Sequence, residues 1–406
     1  MAVIRPFRAL RPLPAAAPLV AAVPYDVVST DEARELADGN PLSFLRVSRA
    51  ELELPRETNP YADVVYETAA RNFRRLREAA PLVVEEKPSV YAYRLRMGAH
   101  EQTGIAACFS VDEYERDVIR KHEKTRRDKE DDRTRHIVEL RAQTGPVFLT
   151  YPAAASVNAG VERITARPPL FDFAAPDGVQ HTVWRAPAAE QAALVEAFAS
   201  IPVLYIADGH HRAASAMRAR EALRARGEQD AGDADLFLAV AFPHDQTQIL
   251  PYHRVVRDLA GRSPETFLEA VRSGCAVQID GGLPAARGQV GMYLAGRWYR
   301  LMLEAPPAAA SPADRLDVAL LHEQLLAPLL GIGDVRADRR IDFVGGIRGP
   351  RALERLVDDG TAAVAFAMHP VSVSDLMQIA DAGGIMPPKS TWFEPKLRDG
   401  LLIHTI

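Results

Sequence analysis

The segment that says most about the fold is Tyr205-Ile206-Ala207-Asp208-Gly209-His210-His211-Arg212. A short apolar strand at residues 203–207 runs into an Asp-Gly turn, and the Ala-rich residues 213–226 have the composition of a helix. The first turn of a helix presents unpaired backbone N–H groups and the positive end of the helix dipole, which together suit an anion. The segment therefore predicts a strand, a tight turn and a helix start that binds a phosphate.

The side chains of this turn admit two interpretations. Gly209 lets the backbone approach a phosphate closely, and His210, His211 and Arg212 add donors, of which Arg212 can place two on oxygens. Alternatively, Asp208 is an ordinary helix N-cap and the histidines are solvated first-turn residues. Two imidazoles and a guanidinium at the positive end of the dipole favour the anion site.

The composition of the chain limits the classes of protein to which it can belong. The chain has 406 residues, 48% hydrophobic and 25% charged, which is enough for two or three globular domains. A net charge of -5 disfavours a protein that wraps nucleic acid. The two cysteines, Cys108 and Cys275, cannot form a disulfide framework or a Cys-rich zinc site. No apolar run is long enough to span a membrane, so we expect a cytoplasmic protein with no membrane or nucleic-acid partner.

Short strands and helices alternate along the chain. Residues 90–95 and 104–111 read as a hairpin, and residues 61–77 as an amphipathic helix. The Ala- and Pro-rich residues 153–169 read as a loop or linker, and residues 304–313 as a second break. Because no long βαβ series is visible, we predict an α+β fold.

Two further segments carry candidate site residues. Lys121-His122-Glu123-Lys124-Thr125-Arg126-Arg127 opens a window, residues 115–141, in which 18 of 27 residues are charged. Such charge runs usually form a solvated helix face, and composition alone favours that interpretation; Arg at position 126 excludes an H-E-x-x-H zinc helix. Near the C-terminus, a proline-stiffened loop carries Lys389, Ser390 and Thr391, which either line a pocket or cover the core.

These residues resemble those of the bacterial and archaeal family known as domain of unknown function 1015. The resemblance rests on six segments spread over nearly the whole chain: residues 23–29, 40–46, 122–125, 207–212, 251–254 and 386–396. Membership of this family by itself implies no activity.

The Asp-Gly-His-His-Arg turn with an upstream His-Glu is also similar to free-serine kinases of the ParB/sulfiredoxin superfamily. This resemblance implies that Gly209–Arg212 holds nucleotide phosphates, with Asp208 beside them, and that Glu123 is the base. Because phosphoryl transfer requires neutralisation of charge, we expect Asp208 to be a second catalytic residue that contacts Mg²⁺. It also implies a catalytic region over residues 1–258, whose core covers about 90–150 and 200–258. Residues 259–406 would form a C-terminal α/β region that completes the pocket.

The activity so implied is a kinase that transfers a phosphoryl group from ATP or ADP, with Mg²⁺, to free L-serine, giving O-phosphoserine. Further substrate or phosphate contacts are expected from His122, Lys124, Thr125, Arg126, Lys389, Ser390 and Thr391. Sulfiredoxin chemistry is excluded because it requires a cysteine where this chain has His210. Two alternatives stay open: a hydrolase with a metal held by His210, His211, Asp208 and His122, and a non-catalytic nucleotide-binding regulator.

Overall fold

A computed structural model describes residues 2–79, 81–227 and 232–406. The chain divides into two compact units. The first runs up to Thr247 and includes Pro395–Ile406, and the second is Gln248–Glu394. The predicted division at residue 258 differs from this one, because residues 252–256 belong to a sheet of the second unit while the C-terminal segment returns to the first.

Strands and helices alternate within both units. The strands are β1 Ile4–Arg5, β2 Leu10–Pro12, β3 Leu82–Val84, β4 Tyr91–Met97, β5 His100–Ser110, β6 Ile119–Arg120, β7 Ala142–Gln143, β8 Val147–Tyr151, β9 Phe171–Ala174, β10 Gln180–Arg185, β11 Leu204–Asp208, β12 Leu236–Pro243, β13 Ile249–Leu250, β14 Tyr252–Val256, β15 Ala276–Ile279, β16 Gln289–Leu294, β17 Arg297–Met302, β18 Ile341–Gly345, β19 Val364–Met368, β20 Trp392–Phe393 and β21 His404–Thr405. The α-helices are α1 Ala17–Val20, α2 Thr30–Ala37, α3 Leu45–Ser48, α4 Asp63–Glu78, α5 Val111–Glu115, α6 Arg127–Leu140, α7 Ala155–Thr165, α8 Ala188–Phe198, α9 His210–Ala225, α10 Pro264–Gly274, α11 Asp317–Leu321, α12 Ala327–Leu330, α13 Pro350–Asp358 and α14 Val373–Asp381.

The first unit is built on a nine-stranded mixed sheet in the order β6-β11-β8-β12-β5-β4-β10-β9, with β1 also paired to β5. The predicted hairpin is confirmed, since β4 and β5 pair antiparallel with Arg94 opposite Thr103. One face of the sheet buries an apolar cluster that includes Ile105, Phe109 and Leu149. With its helices, this sheet confirms the α+β class.

The order of the strands explains how distant segments meet. β6 and β11 are parallel neighbours, with Ile119 opposite Leu204 and Arg120 opposite Tyr205. The carboxyl ends of parallel strands lie at the same edge of a sheet. The loop that follows β6, residues 121–126, and the turn that follows β11 at Gly209 are therefore brought side by side.

The predicted linker at residues 153–169 is wrong, because most of it forms helix α7. Alanine has the highest helix propensity, and Pro152 and Pro168 lie outside the helix rather than within it. Val157, Val161 and Ile164 recur at helical spacing and are buried in the core of the first unit.

The charged window is a helix with specific partners rather than only a solvated face. Helix α6 packs along α9, and Arg218 of α9 pairs with both Glu130 and Asp131 of α6. Arg126, the residue before α6, pairs at 2.7 Å with Asp128 in the first turn of that helix. The two pairs of Arg218 hold α6 against α9.

The second unit has its own six-stranded sheet, in the order β15-β17-β16-β19-β14-β18. Helices α11 and α12 are joined by a π-helical turn over His322–Leu326. The predicted break at residues 304–313 lies inside this unit. Among the described residues of both units, no helix combines the length and apolar character needed to cross a bilayer.

Candidate active site at the Gly209 turn

The candidate site begins where β11 ends and α9 starts. Gly209 is the N-cap residue and has φ +93°, a left-handed conformation that side chains other than glycine rarely adopt. A Cβ atom there would also lie 3.4 Å from the Cα of Val147. The 16-residue helix α9 therefore presents its first backbone N–H groups beside a residue that has to be glycine.

The upstream His-Glu pair lies at this turn. The rings of His122 and His210 are perpendicular, with centroids 4.4 Å apart, and the His122 backbone N–H donates to His210 Nε2 at 3.5 Å. The Glu123 carboxylate lies 3.7 Å from His210 Nδ1 and is 44% exposed. The structure thus brings the predicted base, with an accessible side chain, to the predicted phosphate turn.

The imidazoles at the turn are neutral. Burial, and secondarily the neighbouring His122, hold the pKa of His210 well below its usual range. Burial lowers the pKa of His122 to about 4 and also lowers the pKa of His211. Because a backbone N–H can only donate, His210 Nε2 carries no proton, and its Nδ1–H faces Glu123. The histidines therefore orient neighbouring groups, and the positive charge of the site must come from elsewhere.

His211 connects the turn to the loop that follows β6. Its Nε2 accepts a hydrogen bond from the Arg126 backbone N–H at 3.0 Å. The Arg126 side chain is 69% exposed and turns to Asp128. His211 therefore fixes the backbone of the loop that carries Glu123, while the Arg126 guanidinium makes a solvated surface pair.

Asp208, the last residue of β11, forms an ion pair that the sequence did not predict. Its Oδ2 accepts a hydrogen bond from Lys396 Nζ at 3.0 Å, and the lysine side chain is only 12% exposed. Burial acts to raise the pKa of Asp208, but Lys396 and Arg212 outweigh burial and hold it well below its usual range. Asp208 is therefore a stable carboxylate, and Lys396 is a cation that contacts the residue directly before Gly209.

Arg212 points into the protein rather than towards a ligand at the helix start. Its Nη1 donates to the Pro146 carbonyl at 2.6 Å, and its Nη2 lies 3.4 Å from Asp26 Oδ1. Burial acts to lower the pKa of this guanidinium, but Asp26, Asp208 and Asp399 raise it overall. The predicted phosphate fork is thus already occupied by the protein's own oxygens.

Arg212 also lines a cavity of about 40 Å³ within the first unit, together with Tyr25, Arg133, His136 and Asp399. Asp399 is buried, and burial raises its pKa to about 7, although Arg212 acts in the opposite direction. Among the described residues, Asp399 Oδ1 and Arg212 Nε are buried without a hydrogen-bond partner. The cavity therefore has two unsatisfied polar atoms of opposite character.

The predicted site residues fall into two groups. The residues of segments 121–127 and 205–212 belong to the Gly209 turn or to the loop beside it. In that loop, Thr125 hydrogen-bonds Glu130 and Lys124 is exposed. Lys389, Ser390 and Thr391 belong to the second unit, where the Lys389 carbonyl accepts from Arg254 at 3.0 Å and Ser390 donates to the Pro387 carbonyl at 2.6 Å. Their contact with a substrate stays a prediction.

Sequence reasoning missed two residues of the site, Asp26 and Lys396. Both lie inside segments that carried the family resemblance, residues 23–29 and 386–396. A polar residue inside such a segment was the available signal. Within the second of these segments, residue type alone could not distinguish Lys396 from Lys389.

The described residues contain no group of three or more His, Cys, Asp or Glu side chains placed to hold a metal ion. A Mg²⁺ ion does not need one, because it commonly binds through one or two carboxylates together with substrate phosphates. Asp208 has a second carboxylate oxygen besides the one on Lys396. This donor set fits a Mg²⁺ that arrives with a nucleotide.

Residues 4–319 match the family described as "Protein of unknown function (DUF1015)". The chain belongs to this family. The predicted membership is thereby confirmed, and the matched region includes every residue of the Gly209 turn and of the loop that follows β6. No curated protein has a matching sequence.

Similar solved structures include a free serine kinase in complex with AMP, at 11% identity and a TM-score of 0.34, covering 73% of this chain and 92% of that one. A conserved hypothetical protein from Pyrococcus furiosus is 13% identical, with a TM-score of 0.33 and coverage of 73% and 94%. SbnI with a C-terminal truncation, from Staphylococcus aureus, is 12% identical, with a TM-score of 0.35 and coverage of 72% and 85%. Likeness at this level carries no argument about the activity of the chain.

Proposed function

We propose that this protein is a phosphotransferase that moves a phosphoryl group from ATP or ADP to the hydroxyl of a small acceptor, free L-serine. The observation that carries the proposal is the convergence of an accessible carboxylate, Glu123, on the Gly209 turn. A phosphate site and a base are the two parts that phosphoryl transfer to an alcohol requires. The motif resemblance to free-serine kinases supplies the choice of acceptor.

The turn has the properties of a phosphate site. The backbone N–H groups at the start of α9 and the positive end of its dipole favour the phosphate chain of a nucleotide. The buried ring nitrogen His122 Nδ1, next to the turn, has no hydrogen-bond partner among the described residues. It supports a ligand there, because buried polar groups are normally paired.

Glu123 would act as the general base. It would accept the proton of the acceptor hydroxyl while that oxygen forms a bond to the terminal phosphorus of the nucleotide. The bond from phosphorus to the bridging oxygen would break, and ADP would leave from ATP, or AMP from ADP. Neutral His210 would orient the carboxylate through its Nδ1–H, and His211 would hold the loop that carries Glu123.

Mg²⁺, held by Asp208 and the phosphates, would neutralise charge on the transferred group. The chain's own contribution is the placement of donors that need no reorganisation during the reaction. Placement and charge neutralisation account for most of the catalysis in this reaction class.

The test is the formation of O-phosphoserine by purified protein given L-serine, Mg²⁺ and either ATP or ADP. We expect Glu123→Gln to lower kcat by about two to four orders of magnitude, since the amide cannot accept the proton. Glu139→Gln, the same change at an exposed position of α6, is the matched control and should keep wild-type turnover. Wild-type turnover by Glu123→Gln, or nucleotide binding without any phosphoserine, would contradict the proposal.

A further inference from the structure

Lys396 is the residue at the turn whose position neither the motif nor the resemblance explains. Its ammonium lies 3.0 Å from Asp208 Oδ2, one residue before Gly209. A lysine ammonium is a compact charge with three rotatable N–H donors, so it can exchange one acceptor for another. The charge is thus placed beside the backbone N–H groups that start α9.

The backbone of the C-terminal segment fixes this position. Asp399 exchanges two backbone hydrogen bonds with Ala22, at 2.9 and 3.1 Å, and Gly400 donates to the Thr144 carbonyl at 3.0 Å. Strand β21 then pairs with β7. These backbone hydrogen bonds hold the segment that carries Lys396 within the first unit. The long, flexible lysine side chain can still change its partner.

The other cations of the turn are less suited to a phosphate. Arg212 already uses Nη1 and Nη2 on Pro146 and Asp26. The Arg126 side chain is exposed and paired with Asp128, where solvent screens its charge. The histidines are neutral because burial lowers their pKa. Lys396, with a side chain only 12% exposed, is a mostly buried cation next to the helix start, where an ion pair is stronger than at the surface.

We propose that Lys396 is the phosphate-binding cation of the Gly209 turn: its ammonium holds Asp208 in the free protein and moves to a phosphate oxygen when a nucleotide binds. This rests on the proposed function and names a residue for its donor site. Exchange of Asp208 for a phosphate would also free the Asp208 carboxylate for the cation that accompanies the nucleotide. No covalent step is involved.

The experiment measures binding of inorganic pyrophosphate by calorimetry in the presence of a chelator, so that Mg²⁺ does not contribute. We expect Lys396→Gln to raise Kd by roughly 10- to 100-fold, the range for loss of one charge-assisted hydrogen bond. Lys396→Arg should recover part of the affinity. Lys129→Gln is the matched control. Lys129 donates a hydrogen bond to the hydroxyl of Tyr61 and not to a residue of the turn, so this change should leave Kd unchanged.

A purely structural role is separated by the double variant Asp208→Asn/Lys396→Gln, which removes the unpaired carboxylate that Lys396→Gln alone leaves behind. We expect the double variant to regain the wild-type melting temperature and to keep the weak pyrophosphate binding. Recovery of wild-type affinity in the double variant, wild-type affinity in Lys396→Gln, or no pyrophosphate binding by the wild type would each overturn the inference.

The same variants distinguish this inference from the proposed function. If the wild type forms phosphoserine while Lys396→Gln binds pyrophosphate normally, only the role of Lys396 is lost. If pyrophosphate binding depends on Lys396 but no phosphoserine is formed, the phosphate site stands and the kinase activity is lost.

Discussion

Asp399 makes the stability of the first unit depend on pH in an unusual direction. The side chain is 3% exposed and lines the cavity with Arg212 and Arg133. Burial raises its pKa to about 7, with Asp26 adding to the effect and Arg212 opposing it. An unfolded aspartate has a pKa of 3.8. The folded protein therefore binds this proton more tightly than the unfolded chain does.

The sign and size of the effect follow. Stability from this group is fully present below about pH 4 and is lost as the pH rises through about 7. The difference between the two pKa values corresponds to about 4 kcal/mol. Asp399→Asn places a neutral amide of similar shape in the cavity and removes this dependence. We expect the variant to match the wild type near pH 4 and to be more stable by about 3–4 kcal/mol at pH 8.

Urea unfolding followed by Trp184 fluorescence measures this difference. Trp184 lies in the first unit, and replacing Trp298 and Trp392 of the second unit by phenylalanine isolates its signal. Asp38→Asn, an exposed change in the same unit, is the control and should show no advantage that grows with pH. An Asp399→Asn advantage that stays constant from pH 4 to pH 8 would refute the reasoning.

Three further substitutions test the turn. Gly209→Ala must place a Cβ at positive φ and 3.4 Å from Val147, so we expect urea unfolding to show a loss of about 1–2 kcal/mol. Arg212→Ala leaves the Pro146 carbonyl and Asp26 without their partner, and the same assay should show a loss of about 1–3 kcal/mol, the range for an unsatisfied buried acceptor. His211→Ala removes the acceptor of the Arg126 N–H and so loosens the loop that carries Glu123, and steady-state kinetics should show a lower kcat with less change in the KM for the nucleotide.

Local patterns predicted the elements of the site well. An apolar run, Asp-Gly and an Ala-rich segment are sufficient to specify β11, the left-handed Gly209 and α9, because each depends on residues close in sequence. The hairpin of β4 and β5 follows from the same kind of signal. The prediction of a loop at α7 fails because the content of alanine and proline does not show where the prolines lie. Proline breaks a helix only from within, and Pro152 and Pro168 lie outside α7.

Contacts between site residues that are distant in sequence were only partly predictable. The resemblance placed Glu123 at the turn, and the parallel pairing of β6 with β11 supplies the physical reason. Lys396 and Asp208 are separated by 188 positions, and no spacing rule connects them. The occupation of Arg212 by Pro146 and Asp26 was equally invisible, because it depends on a carbonyl whose direction only the fold determines.

The most direct measurement is an experimental structure of the full chain with ADP bound. Our account predicts phosphate oxygens at about 3 Å from the backbone N–H groups of His210 and His211 and from Lys396 Nζ, with the Glu123 carboxylate facing the terminal phosphate. A nucleotide bound elsewhere in the protein, with Lys396 still on Asp208 and the helix start in contact with solvent alone, would contradict it.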